Sequence, residues 1–454
     1  MDQADRDQRH TRATELASAL ADLGVVGVAT SFVDNAGISR VKTVPVGKLP
    51  DLAAWGAGFS SAFDYFRADD WVAAPASGEG PVGDQRIIPD LSRLVVLAAQ
   101  FGWAWAPGDR YEQDGTPHPQ DSRLLLRRLV DEWGERGVTL RTAYEVEWVV
   151  SAGDGNDFVA AAAGPAYGLG RLAAVSDYGR DLLEAFAAQG IRVEQFHPEY
   201  APGQFELSVS PEAPVASADT SVLVRATIRA VGLRHGFRTS FSPKVDPAGV
   251  GNGGHAHVSL WRDQENLMAG GSGRYGMTPD GESFAGGVLA HLPALLALGA
   301  PSVASYLRLV PQHWAGAYAC WGLENREAAL RLVTGSAGSE KWAANLEVKC
   351  IDLHANPYLL LAGILAAGAD ATPLPEPVDV DPASLGDEEL ARRGVARLPT
   401  TLRESLDAFL ADQVLGEAFG QPLVDSIAAV RESELEELGS SSPEQVADAS
   451  RWAH

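Results

Sequence analysis

The chain has 454 residues, too many for one ordinary hydrophobic core, so two domains are expected. Its 46% hydrophobic and 21% charged residues are an ordinary globular balance, but 36 Lys+Arg against 60 Asp+Glu leave a formal net charge of −24, which repels a phosphate backbone and argues against a nucleic-acid partner. The charged N-terminus MDQADRDQRH is no signal peptide, no uninterrupted apolar run of about 18 residues predicts a membrane span, and two cysteines, Cys320 and Cys350, favour a reducing cytoplasm.

Residues 11–23 read as a helix with Leu16, Leu20 and Leu23 on one face, and 25–33 as a buried strand. The stretch 45–121 is rich in Gly, Pro and Asp and reads as loops. Asp121 can cap a helix to about Glu135. Strands then follow at 141–150, 191–197, 204–210, 255–261 and 345–351, and helices at 178–189, 218–235 and 284–298. Asn356-Pro357 opens a helix to Gly368, with proline in its first turn. A Pro-rich connector at 373–382 leads to two closing helices, 400–411 and 421–437.

Five short constellations carry chemistry. In Tyr144-Glu145-Val146-Glu147-Trp148, strand alternation puts both glutamates on one face among apolar neighbours, which is costly without a cation between them. In His197-Pro198-Glu199-Tyr200-Ala201-Pro202-Gly203-Gln204-Phe205-Glu206, the Pro-Gly turn can fold the chain so that Glu199 approaches Glu206. A Gly-rich turn from Gly251 feeds a strand on which His255, His257 and Ser259 share a face. Arg308, Arg326 and Arg331 sit among apolar residues, where guanidinium groups need anions. Glu347 and Lys349 form another same-face pair. Carboxylates with an occasional imidazole suit hard divalent cations, and arginines beside them suit a phosphoryl group in transfer.

Taken in order, these motifs resemble the glutamine synthetase superfamily over almost the whole chain, as an actinobacterial-type γ-glutamyl-amide synthetase. The order is E-x-E, H-x-E-x-A-P-G-Q-x-E, Pro243-Lys244 before G-G-H-x-H-x-S-L, S-Y-x-R-L-V-P, W-G-x-x-N-R, and A-N-P-Y at 355–358. The resemblance implies an α+β fold: a small N-terminal β-grasp domain (1–115) and a C-terminal catalytic domain (116–454) of antiparallel sheet with packed helices. It implies two Mg²⁺ or Mn²⁺ ions per site, one on Glu147, Glu199 and Glu206 and one on Glu145, His255 and Glu347. ATP as co-substrate would meet His197, Ser259, Arg331 and the catalytic Arg326. Glutamate would meet Gly251, Arg308 (also catalytic) and Lys349. The implied reaction activates glutamate as γ-glutamyl phosphate and passes it to an amine. The implied assembly is a homo-oligomer, a dodecamer of two hexameric rings with sites between subunits.

Four positions depart from the family. Trp314 stands where a glutamate helps hold and deprotonate ammonium. Ser60 stands where the N-terminal domain lends an aspartate. Lys349 replaces an arginine, and Pro198 replaces a histidine. No tyrosine follows Tyr358, so the adenylylated tyrosine of some members has no counterpart. Intact metal and nucleotide positions with missing ammonium positions point to an organic amine, ethanolamine ahead of polyamines, with Ser60 and Trp314 marking the amine pocket. A polyamine would need further carboxylates, for which Asp64, Asp69 and Asp70 are candidates. The alternatives are ordinary glutamine synthesis from ammonium and a non-catalytic oligomeric relative.

Overall fold

The computed structural model describes residues 2–74 and 82–454. Its N-terminal sheet runs β2-β1-β6-β4-β3, with a short strand beside β6. The strands are β1 (Gly27–Val33), β2 (Ser39–Pro45), β3 (Ala57–Ser60), β4 (Asp84–Pro89), β5 (Val95–Val96) and β6 (Trp103–Tyr111). The two central strands, β1 and β6, are parallel, and the others pair antiparallel, as a β-grasp sheet requires. A helix at Gln3–Asp22 and another at Leu49–Trp55 cover it through Ala13, Leu20, Leu49 and Leu52.

The loop reading of 45–121 is therefore wrong over 45–65, 84–96 and 103–111, which are largely strand and helix, while its part at 75–81 lies outside the described residues. β6 reads as irregular because Pro107 and Gly108 interrupt it. Packing requires that glycine: a Cβ at Gly108 would lie 2.4 Å from Ile87 and 2.8 Å from the Thr30 hydroxyl. The strand's burial on both faces also removes the polar/apolar alternation that would reveal it.

The second sheet has ten strands, in order β16-β13-β14-β15-β11-β7-β9-β8, with β10 beside β7 and β12 beside β11. They are β7 (Thr139–Ala152), β8 (Val193–Pro198), β9 (Gln204–Val209), β10 (Phe237–Ser240), β11 (Ala256–Arg262), β12 (Glu265–Asn266), β13 (Tyr318–Leu323), β14 (Ala328–Val333), β15 (Asn345–Val348) and β16 (Ala396–Arg397). Pairing is antiparallel except between β13 and β14. Asp121 caps the helix Ser122–Glu135 as expected, accepting the Leu124 N–H at 2.6 Å. That helix, Pro214–Arg234 and the fully buried Pro357–Gly368 pack with the sheet into one core. The helix Pro279–Gly299 is long and apolar enough to cross a bilayer, but 72% of its most apolar window is buried inside the protein, so it is a core helix.

Register places the candidate site residues. Glu147 faces Glu206 across β7–β9, and His197 faces the same Glu206 across β8–β9. Glu347 faces His257 on one side and Arg331 on the other.

Candidate active site

A cleft of about 900 Å³ opens over this part of the sheet. It is lined by Glu145, Glu147, His197, Glu199, Glu206, Gly251, His255, Arg308, Trp314, Arg326, Arg331, Glu347 and Lys349. Thirteen of the fifteen site residues named from the motifs and the family resemblance thus fall in one cavity. The turn that returns Glu206 towards Glu199 needs Gly203, whose φ is +72° and whose Cβ would lie 2.8 Å from the Val150 carbonyl. Gly253 lets the Gly-rich segment press into the site: a Cβ there would lie within 3 Å of His255, Arg308 and Glu147.

Ligand atoms fall into two groups. In the first, Glu145, His255 and Glu347 each offer an atom within 4.8 Å of the others. His255 Nδ1 lies 2.9 Å from Glu145 and 3.1 Å from Glu347. Glu347 is 1% exposed and also meets Arg331 Nη1 and Lys349 Nζ, each at 3.1 Å. Burial works against its charge, but Lys349 and the two histidines hold it well below the usual range. Burial likewise opposes the Glu145 charge, and His257 with His255 overrides it.

The second group is His197, Glu199 and Glu206. Burial and the nearby Glu147 and Glu206 carboxylates push Glu199 up to about 7. His197 is raised to about 9, chiefly by its bond to Glu206. Glu147, expected as a ligand here, lines the same cleft with one carboxylate oxygen, Oε2, taken by the Gly253 N–H at 2.8 Å and Gln204 Nε2 at 3.1 Å, and His197 is the third residue of the group. Oxygen donors crowded against their own repulsion fit a hard divalent cation, which would replace the neutralisation the imidazoles now supply.

The cations differ in setting. Arg308 is buried, with Nη1 and Nη2 on the carbonyls of Ile351 and Lys349 and Nη2 3.1 Å from His255 Nε2. Arg331 bridges Glu347 and Glu324. Arg326, expected among apolar neighbours, is exposed at the cleft and has no hydrogen bond or ion pair among the described residues. Trp314 is 48% exposed, and its N–H donates to Glu327 at 2.9 Å.

Two expected residues lie elsewhere. The Ser259 hydroxyl is taken by Trp261 Nε1 at 2.9 Å, and Ser259 is absent from the lining. Its strand neighbour His257 lines the cleft instead, 3.2 Å from Glu145, with Asn345 on its other nitrogen. Ser60 caps the Ala62 N–H, outside this subunit's cleft. The three aspartates considered for a polyamine are already paired: Asp64 with Arg110, Asp69 with Arg67 and Asp70 with Arg40.

Sequence reasoning passed over Tyr167, Tyr200 and Glu327. The first two line the cleft, and Glu327 lies beneath its loop; Tyr200 fell inside the His197–Glu206 constellation but was given no role, and the other two carry no spacing signal. It also passed over Arg171, whose guanidinium binds the carbonyls of Gly164, Glu199, Tyr200 and Ala201 and so fixes the loop that carries Glu199.

Residues 119–447 match the model of the glutamine synthetase catalytic domain. The γ-glutamylpolyamine synthetase GlnA3 of Streptomyces coelicolor is 57% identical over 450 residues, covering 98% of this chain and 97% of that protein. A glutamine synthetase of Methanocaldococcus jannaschii is 29% identical, with 90% and 91% covered. The solved structure of a novel glutamine synthase homolog matches with a TM-score of 0.84 at 33% identity, covering 94% of this chain and 97% of that one. A GmaS–ADP complex matches at 0.83 and 27% identity, with the same coverage. With the catalytic-domain match spanning residues 119–447 and 57% identity to a relative over 98% of its length, the chain belongs to the glutamine synthetase family of carbon–nitrogen ligases.

Proposed function

We propose that the chain joins the γ-carboxyl of glutamate to an organic amine at the cost of ATP, with polyamines as the amine class. The observation that carries this is the contrast within one cleft: two metal-type groups converge, while position 314, where the family resemblance puts the ammonium-holding glutamate, carries an exposed indole. Similarity to a γ-glutamylpolyamine synthetase over 98% of the chain supports polyamines ahead of ethanolamine.

The proposed catalytic unit is the 116–454 domain, completed by a neighbour's 1–115 domain that brings Ser60 to the amine side. Two divalent cations, Mg²⁺ or Mn²⁺, would be held by Glu145, His255 and Glu347 and by Glu199 and Glu206 with His197 or Glu147; bound there, they supply charge neutralisation for phosphoryl transfer. Arg326 and Arg331 face the γ-phosphate, and the unpaired guanidinium of Arg326 is free to engage it. Arg308, Lys349 and the Gly251 backbone orient glutamate. Its γ-carboxylate oxygen bonds to the γ-phosphorus as the bond to ADP breaks. A neutral amine nitrogen then attacks the acyl carbon of γ-glutamyl phosphate. Phosphate leaves and carries away the proton the nitrogen loses, as HPO₄²⁻.

Phosphate release with glutamate plus ammonium, ethanolamine, a simple monoamine or a diamine tests the reading. Turnover with diamines well above ammonium is expected. Ammonium used as efficiently as any amine would refute it.

A further inference from the structure

A polyamine keeps a second ammonium while its first nitrogen reacts, and the three aspartates that might have received it are spent on arginines. The cleft offers another chemistry. Tyr200 and Trp314, 51% and 48% exposed, meet edge to face with ring centres 6.3 Å apart. They come from separate segments, and both line the cleft that holds the metal-type carboxylates. Two large aromatics left this bare forfeit burial, which a ligand would restore.

Their placement is imposed by the fold. Gln312 and Trp314 have φ of +62° and +53°, a region that disfavours side chains with a Cβ. Both backbone N–H groups donate to one carboxylate, that of Glu327, which is 8% exposed. A buried acid thus holds a strained loop in the shape that presents the indole. On the facing loop, the Tyr200 N–H donates to Glu199 at 2.7 Å, and Arg171 binds the carbonyls on either side.

We propose that Tyr200 and Trp314 form a π-faced subsite for the distal ammonium of an α,ω-diamine, attracting it to the ring faces while the near nitrogen attacks. This rests on the organic-amine reading and narrows it to amines with a second positive charge. Because ring faces need no N–H donor, the subsite should accept a distal trimethylammonium, which carboxylate hydrogen bonds would not.

The test compares 1,4-diaminobutane, n-butylamine and (4-aminobutyl)trimethylammonium as amines for the wild type, Trp314→Leu, Tyr200→Leu and Trp314→Phe. Glutamate and ATP are saturating, phosphate release is followed, and particle mass is checked by light scattering. The wild type should prefer both dications to butylamine. Each leucine variant should cut that preference about tenfold, mainly through KM, and Trp314→Phe should restore most of it. A preference unchanged in the leucine variants, rejection of the trimethylammonium amine alone, or loss of assembly in place of loss of preference would each overturn the subsite. A wild type that uses only ammonium would overturn the amine reading itself, a result distinct from all of these.

Discussion

Replacing Glu347 by glutamine removes one charge and almost no volume. In the folded chain that carboxylate is 1% exposed and meets Arg331, Lys349 and His255, each at 3.1 Å. Stranding buried cations by removing their partner costs about 3–5 kcal/mol. Glutamine keeps one acceptor oxygen for these donors, so about 2–3 kcal/mol is the working figure. At roughly 2 °C per kcal/mol for a chain this large, Tm should fall by about 4–6 °C. Glu147→Gln is the control. Glu147 is held by the Gly253 N–H and the Gln204 amide, both neutral donors, and its one cationic neighbour, His255 at 3.9 Å, keeps Glu145 and Glu347 as closer partners, so its loss strands no cation. Its cost should stay near 1 kcal/mol.

Both variants should lose at least about a hundredfold in phosphate release, because each removes charge in or directly beside a metal-type group. Added Mg²⁺ should raise the wild-type Tm, since a ligand at a hundredfold excess over its Kd stabilises by about 2.7 kcal/mol, and Glu347→Gln should lose most of that rise. Thermal unfolding with and without Mg²⁺, beside a phosphate-release assay, reads all of this. A Glu347→Gln protein with wild-type Tm, Mg²⁺ response and turnover would refute the two-metal reading. Equal destabilisation of the two variants would refute the account of Glu347 as the hub of buried cations.

Three further outcomes are expected. His291 lies between Asp412 at 2.6 Å and Asp370 at 3.0 Å, and although burial opposes it, the two carboxylates raise its pKa. That contribution to stability is complete below the unfolded value of about 6.5 and is lost as pH rises through the folded one, so the Tm advantage of wild type over His291→Gln should shrink from pH 6 to pH 9. Light scattering should find a ring assembly of several hundred kilodaltons, and an active monomer would contradict a site completed by a neighbour. Trp314→Glu should weaken organic-amine use and give a partial gain with ammonium in steady-state kinetics; unchanged amine selectivity would show that position 314 does not face the amine.

The carboxylates were legible because strand alternation leaves a two-residue signature. Glu145 and Glu147 are separated by one buried valine, and Glu347 and Lys349 by another. Their convergence depends on register, which brings Glu206, His257 and Arg331 opposite them and is written in no single segment. β3 to β6 were missed because turn-forming residues lie inside those strands, and buried strands lose their alternation. β13 and β14 were read only as an arginine-bearing apolar stretch, since short buried strands give no period of their own. His257 carried the right signal, sharing a face with His255, but Ser259 was preferred on resemblance. The pairing of Asp64 with Arg110, 46 residues away, and the clamp formed by Glu327 are tertiary events without a local pattern.

An acid does lie within one hydrogen bond of position 314, yet it cannot serve ammonium. Glu327 is buried and accepts the N–H groups of both Gln312 and Trp314, bonds a buried carboxylate needs. Turning it towards a cation would release two residues held at positive φ and with them the loop that presents Trp314. Among the described residues lining the cleft, the remaining carboxylates are Glu145, Glu147, Glu199, Glu206 and Glu347, all in or beside the metal-type groups. Among the described residues of this subunit's cleft, ammonium therefore meets no anion other than those in or beside the metal-type groups. A glutamate placed at 314 would sit on the residue whose N–H binds Glu327, so two like charges would compete in one turn. That repulsion is why the ammonium gained by Trp314→Glu should be partial. On the proposed function, selectivity among amines then rests on what an amine carries beyond its reacting nitrogen: hydrocarbon to cover the indole, and a second charge for the ring faces to hold.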